Sequence, residues 1–385
     1  MTTKNFIKVI KFSLILFYSF LLESSFNSAQ IVEKNISKQK IMIALLLDTS
    51  NSMDGLINQA KSQLWTIVNE LSLARDSKGR NPDIYIALFE YGNTNLPSSE
   101  GYIRMVTPLT SDLDQISEDL FDLTTNGGDE FCGQVIKRSV DQLDWSNSDS
   151  DLKIIFIAGN EPFTQGNVSY QSACSLAKKK DIVVNSIYCG DYDEGISSSW
   201  KTGALMTGGA YMSIEQNKKT VFIKTPYDQE INKLNDALND TYVYYGKEGY
   251  LKQQRQQDQD SRAFSLSASN KAKRAIFKSS ARYKNSSWDL ADAYKDGKVA
   301  ISEVQDDYLP EKMRGMTPEQ KKEYINKKLE QRKQLQKKIQ KLALKRKSFI
   351  LNKQKAEVGE KTLDSAMLKP IRDLARSKNL KFDNY

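Results

Sequence analysis

The chain has 385 residues, 39% hydrophobic and 27% charged, with 56 Lys and Arg against 48 Asp and Glu for a net charge of +8. This is a globular composition, long enough for two or three modules. It contains no histidine, which excludes Ser-His-Asp and Cys-His catalysis, His-ligated zinc and an imidazole pH switch. The charge is unevenly placed. Residues 30–245 carry 19 Lys and Arg against 29 Asp and Glu, a net −10, and residues 246–385 carry 34 against 18, a net +16. Oppositely charged regions suit contact with each other or with different partners.

Residues 1–29 read as an export signal. Lys4, Lys8 and Lys11 precede the apolar run Phe12–Leu22, and a small-residue stretch ending at Ala29 offers a cleavage point that leaves Gln30 first. Left uncut, the run would be an anchor, although it is short for a spanning helix. The expected location is periplasmic or secreted, with no membrane span after cleavage.

Residues 38–245 alternate strands and helices. The continuous apolar run Ile41–Leu47 suits a central buried strand. A helix follows over Asp54–Leu73, with Leu56, Ile57, Ala60, Leu64 and Ile67 on one face. Next come strand Asp83–Phe89, an edge strand Tyr102–Val106 beside it, and helices near Asp112–Leu123 and Phe131–Leu143. Strand Leu152–Ala158, a helix near Ser169–Lys179, strand Ile182–Tyr188, a helix near Ser198–Met206 and a short strand Ala210–Ile214 lead to a closing helix Asp228–Tyr244. The pattern predicts an α/β fold, a doubly wound and mostly parallel sheet that binds ligands at the carboxyl ends of its strands.

A polar, partly helical connector over 246–310 and a basic helical tail over 311–385 complete the chain. The run from Asp292 to Glu303 shares part of an EF-hand spacing, but Tyr294 breaks it, and it reads as an ordinary turn. Thr317-Pro318-Glu319-Gln320 is a helix start with capping-box chemistry. The helix predicted from it runs to about Gln354 with a narrow apolar stripe through Ile325, Leu329, Leu335, Ile339, Leu342 and Ile350. Such a helix is rarely stable alone. It is expected to pack on a partner helix, as in a coiled coil, or on the acidic surface of the α/β domain. Pro370 is expected to set off a last short segment. Export argues against nucleic acid as the target of the basic faces. Of the three cysteines, Cys174 should begin a helix and Cys189 should end the adjoining strand. A Cys174–Cys189 disulfide or a pair of buried thiols would both fit.

The chemistry concentrates at Asp48-Thr49-Ser50-Asn51-Ser52, directly after the first strand. One carboxylate and two hydroxyls at that spacing suit a hard divalent cation, Mg²⁺ above all, or Ca²⁺ or Mn²⁺. Alternatively, Asp48 caps the next helix and the serines satisfy turn backbone. In its context this D-x-S-x-S run resembles the metal-ion-dependent adhesion site of von Willebrand factor A-type (VWA) domains, and the resemblance covers about Lys40 to Tyr245. The overall layout looks like exported bacterial VWA proteins.

The resemblance implies that Asp48, Ser50 and Ser52 are metal ligands. It places Asp129 of Thr124-Thr125-Asn126-Gly127-Gly128-Asp129-Glu130 where the family has a threonine ligand, with Thr124 and Thr125 as substitutes. Gly159 stands where the family has a third-loop aspartate, with Asn160 or Glu161 as replacements. The function implied is that of a binding module, not an enzyme, that captures a carboxylate on a protein partner through the ion. Two other readings are an envelope scaffold assembled by its basic helix with an incidental metal, and a metal-dependent hydrolase with Glu130 or Glu161 as base.

Overall fold

The computed structural model describes residues 38–215, 217–218, 220–354 and 363–382; the expected signal segment lies outside them. The strands are β1 (Lys40–Asp48), β2 (Ala74–Arg75), β3 (Asp83–Tyr91), β4 (Ile103–Thr110), β5 (Leu152–Gly159), β6 (Val183–Cys189), β7 (Tyr211–Ile214) and β8 (Lys381–Phe382). The α-helices in the first part of the chain are α1 (Asp54–Leu71), α2 (Leu113–Asp122), α3 (Cys132–Gln142), α4 (Tyr170–Lys179), α5 (Tyr192–Ser197), α6 (Trp200–Met206) and α7 (Asp228–Asn239). They are followed by α8 (Gly249–Leu266), α9 (Ala268–Lys278), α10 (Leu290–Lys295), α11 (Pro318–Gln354) and α12 (Leu363–Ser377).

The main sheet has the order β4-β3-β1-β5-β6-β7. All its pairings are parallel except β3 with β4. β1 is buried along nearly its whole length because both its faces are covered. Ile41, Ile43, Leu45 and Leu47 point to the α1 side, where Leu56, Leu64 and Trp65 meet them. Ala44 and Leu46 point the other way, toward Val135 and Ile136 of α3 and Ala173 of α4. From β1 the chain moves to β3 and β4 on one side, then returns to β5 on the other. The crevice outside the ends of β1 and β5 is therefore the topological switch point, where such sheets bind ligands.

The predicted closing helix is shorter than expected. It stops at Asn239, because Val243 N donates to Asp289 Oδ1 at 2.7 Å and Tyr244 bridges Asp289 in extended form. The α1 face of the sheet is completed from the far end of the chain. Leu363, Ala366, Met367, Ile371 and Ala375 of α12 join the same core, and β8 pairs antiparallel with β2. Pro370 does not divide this segment but lies inside α12. An interior proline costs a helix about 3 kcal/mol, and the apolar face buried on the sheet offsets it. A second, smaller core of Val243, Leu290, Ile301, Leu309, Met313 and Ile325 gathers the connector and the start of α11.

The helix predicted from Thr317 forms as expected. Thr317 Oγ1 accepts from Gln320 N at 3.3 Å, and Gln320 Oε1 accepts from Thr317 N at 2.9 Å. Its stripe packs on the chain's own core, with Ile339, Leu335 and Leu342 against the α1-side cluster. The basic tail reaches the acidic domain through buried pairs. Arg346 meets Asp228 of that domain at 2.8 Å, whereas Arg332 meets Asp289 and Asp292 of the connector at 2.7 Å each and lies 4.1 Å from the Tyr242 ring centre of the domain. Asp292 is thus held by a guanidinium and by Asn285 N rather than serving a calcium loop. Between α2, α8 and α9, Arg274 bonds Asp114 and Asp260 at 2.6 Å each, and Lys278 bonds Asp260 at 2.7 Å. Burial would raise the Asp260 carboxyl, but Lys278 and Arg274 beside it hold it well below the usual carboxylate range.

Of the two alternatives for Cys174 and Cys189, the structure has the buried thiols and not the disulfide. Cys174 lies in the α3–α4 cluster and Cys189 in the α1-side cluster, so the sheet separates them, and all three cysteines are free and buried. Burial pushes the Cys174 thiol up to about 12 and the Cys189 thiol well above its ordinary value. Protein unfolded without reductant should therefore expose three alkylatable thiols; mass spectrometry showing one would establish a bridge. The Asp260 cluster makes a second prediction. Asp260→Ala leaves buried Lys278 without a carboxylate and Arg274 with Asp114 alone, and should cost about 3–5 kcal/mol in urea unfolding, whereas a loss under about 1 kcal/mol, the surface-pair range, would mean the cluster does not hold the connector to the domain.

Candidate metal-binding site

The switch-point crevice is built from three loops. The first continues β1, whose last residue, Asp48, is completely buried. Its Oδ1 accepts from Ser50 N at 2.8 Å, which folds the loop back so that Ser50 Oγ and Ser52 Oγ lie 3.3 Å apart. Thr49 N donates to Tyr91 O at 2.8 Å and ties the loop to the end of β3. The second loop, 123–131, is stitched to its neighbours by Asn126 N on Thr49 O at 2.9 Å and Thr94 N on Gly127 O at 2.7 Å. The third follows β5 and brings Asn160, whose Nδ2 lies 3.3 Å from Ser52 Oγ.

The second loop delivers a different carboxylate from the one expected. Asp129 is exposed, while its neighbour Glu130 is only 4% exposed. Glu130 N donates to Gln165 Oε1 at 3.0 Å, and Cys132 N donates to Glu130 O at 3.1 Å. That turn aims the Glu130 side chain inward. Gly92 shows how close the two carboxyls lie, because a Cβ there would stand 2.7 Å from Glu130 Cγ and 2.9 Å from Asp48 Oδ1. Thr125 is engaged elsewhere, its hydroxyl donating to Asp54 at the start of α1. Thr124 is exposed and offers its carbonyl to Asn93 Nδ2 at 2.9 Å.

Gly159 explains the missing third-loop aspartate. A Cβ there would meet the Tyr91 hydroxyl at 2.4 Å and Asp48 Oδ2 at 3.0 Å. Tyr91, held by a 3.0 Å bond from its hydroxyl to Ala158 O, fills the space a side chain would need. The second carboxylate therefore arrives from the second loop as Glu130. Sequence spacing offered Asp129 and Glu130 as neighbours without showing which faced inward, and Tyr91 carried no signal of its own.

The electrostatics follow from two acids in a dry site. Burial raises the Asp48 carboxyl to about 6, against hydrogen bonds from Ser50 and Glu130. Burial and then the Asp48 charge push Glu130 up to about 9, and Glu161 adds to both. When both acids are ionised, Asp48 Oδ2 and Glu130 Oε2 are buried with no hydrogen-bond donor, as is Asn160 Oδ1, and a proton on Glu130 supplies the one bond to Asp48. Other buried amide oxygens in the chain also lack a partner, but these three gather on the loops of one crevice, where an ion or water would satisfy them together. Hydroxyl, carboxylate and amide oxygens are the donor set of a hard cation, so these residues fit one. Among the described residues no three His, Cys, Asp or Glu side chains cluster, so the set rests on two carboxylates with neutral oxygens around them.

Residues 43–198 match the family model of the von Willebrand factor type A domain. Solved structures with similarity include the SpRpn10 VWA domain, at 16% identity, 45% of this chain, 87% of that one and a TM-score of 0.35. Another is BatB from Bacteroides thetaiotaomicron, at 16% identity, 45% and 90% coverage and a TM-score of 0.34. A third is proximal thread matrix protein 1 from the mussel byssus with a zinc-occupied MIDAS motif, at 16% identity, 47% and 43% coverage and a TM-score of 0.35. No curated protein matches the chain. Among the described residues no helix is long and apolar enough to cross a membrane.

The raised carboxyls set a pH dependence. The folded chain keeps protons that the unfolded chain releases, so this pair's contribution to stability is full below the ordinary carboxylate range and declines as pH rises toward about 9. In EDTA, melting temperature should fall over that range. Glu130→Gln, which cannot ionise, should flatten the decline; an unchanged slope would show that the pair does not titrate as described.

Proposed function

We propose that this chain is an exported binding protein whose VWA site holds a divalent cation and uses it to engage a carboxylate on a protein partner. VWA domains commonly mediate protein–protein interaction through such a site. The observation that carries the reading is the gathering of buried Asp48 and Glu130 carboxyl oxygens and the Asn160 amide oxygen, unsatisfied when both acids are ionised, at the switch point of the sheet. In this proposal Asp48, Ser50 and Ser52 hold the ion from the first loop, Glu130 supplies the second carboxylate and Asn160 a neutral oxygen. Asp129 and Glu161 lie nearby as charges that would favour a cation, and Thr125 braces the loop through Asp54. Mg²⁺ suits these oxygens best, with Mn²⁺ and Ca²⁺ as alternatives. A small ligand set leaves coordination positions for a partner's carboxylate.

Self-packing of the α11 stripe argues against the scaffold reading, since Leu335, Ile339 and Leu342, which would join copies, already pack in this chain's own core. Export rests on the N-terminal charge and apolar pattern.

The test is calorimetric titration of Mg²⁺ and Mn²⁺ into the full chain at neutral pH. The wild type should bind, with protons released as the carboxyls give up theirs. Asp48→Ala should weaken binding by at least about 100-fold, roughly 2.7 kcal/mol. Wild-type protein that takes up neither ion would remove the reading.

A further inference from the structure

Where the last residues of α7 and α9 meet the middle of α8, an amine, an amide and a carboxylate stand in mutual contact. Lys278 Nζ donates to Asn239 Oδ1 at 2.5 Å. Asn239 Nδ2 donates to Asp260 Oδ2 at 2.7 Å, and that same oxygen accepts from Lys278 Nζ at 2.7 Å. The amine therefore lies beside the carbon that carries Asn239 Oδ1. One carboxylate oxygen touches both the amine nitrogen and the amide nitrogen. Holding reacting groups in contact removes much of the entropic barrier between them.

The surroundings favour reaction over solvation. Lys278 is completely buried, and Asp260 is only 3% exposed. Burial lowers the Lys278 ammonium to about 8, which brings the neutral, nucleophilic amine within reach at mildly alkaline pH. Arg274 Nε holds the other Asp260 oxygen at 2.6 Å, and Asn235 Nδ2 donates to Oδ2 at 2.7 Å. These bonds fix the carboxylate between the two nitrogens. Lys278 and Arg274 hold it ionised, so it passes protons on and does not keep them.

We infer that Lys278 and Asn239 become joined by an isopeptide bond that the chain forms by itself, with Asp260 as the proton relay. Nζ attacks Asn239 Cγ and forms the new C–N bond, and the bond from Cγ to Nδ2 breaks. Nζ gives up two of its three ammonium protons through Asp260 Oδ2. Nδ2 receives both and leaves as ammonium. Charge and atoms balance without an oxidant, a metal or a second reactant. The product ties the end of α7 to the end of α9, so the connector is fastened covalently to the α/β domain.

The test is intact-mass measurement of the purified full chain held overnight at about pH 8, followed by tryptic mapping. The wild type should be lighter than its sequence by one ammonia. It should also yield a branched peptide that joins the segments containing Asn239 and Lys278, uncut after Lys278. Asn239→Ala keeps the buried Lys278–Asp260 pair, and it should fold, retain its full mass and give no branched peptide. Asp260→Asn keeps the shape without the relay and should form the bond at least about 100-fold more slowly. A wild type of full mass would leave the three residues an ion cluster only and overturn the inference. Loss of ammonia without the branched peptide would place the change elsewhere in the chain and overturn it too. So would a branched peptide that persists in Asn239→Ala.

Discussion

The placement of one carboxylate governs the site. Asp48 ends a strand that is buried on both faces, so its side chain emerges in a place without water. A lone charge there is expensive, and the surroundings respond to it. Ser50 N bonds one oxygen, Gly92 and Gly159 give up their side-chain space, and Glu130 moves in as a second acid. Two acids in a low-dielectric pocket hold on to protons. Under the proposed function that proton and a divalent cation compete for the same oxygens, which makes the site a balance between the two.

The same rule, that a buried charge must be answered, joins the connector to the domain and the tail to both. Arg274, Arg332 and Arg346 are all buried, and each reaches carboxylates from a different part of the chain. Such pairs add little net stability over apolar packing, but they specify register, because only one arrangement satisfies them. The opposite charges of the two halves, −10 and +16, are therefore used inside the molecule.

α12 changes what counts as the domain. The family match ends at residue 198, yet the α1 face of the sheet is closed by residues more than 160 positions later in the chain. The entropy cost of closing such a loop grows only slowly with its length. It is met by Leu363, Met367 and Ile371 in the core, by β8 on β2, and by Lys378 Nζ on Asp181 Oδ2 at 2.7 Å.

Much of this was legible in sequence. Continuous apolar strands, a helical stripe, a capping box at Thr317 and the D-x-S-x-S loop are local patterns, and local periodicity and turn chemistry determine them. They settled the strand and helix order, the α/β class, the long helix and the Asp48, Ser50 and Ser52 cluster. Tertiary structure alone decided that Glu130 and not Asp129 faces Asp48, that Tyr91 fills the third-loop space, that the sheet parts Cys174 from Cys189, and that Pro370 lies within a helix. Each of these depends on which way a side chain points or on residues far apart in sequence, and neither spacing nor composition carries that information.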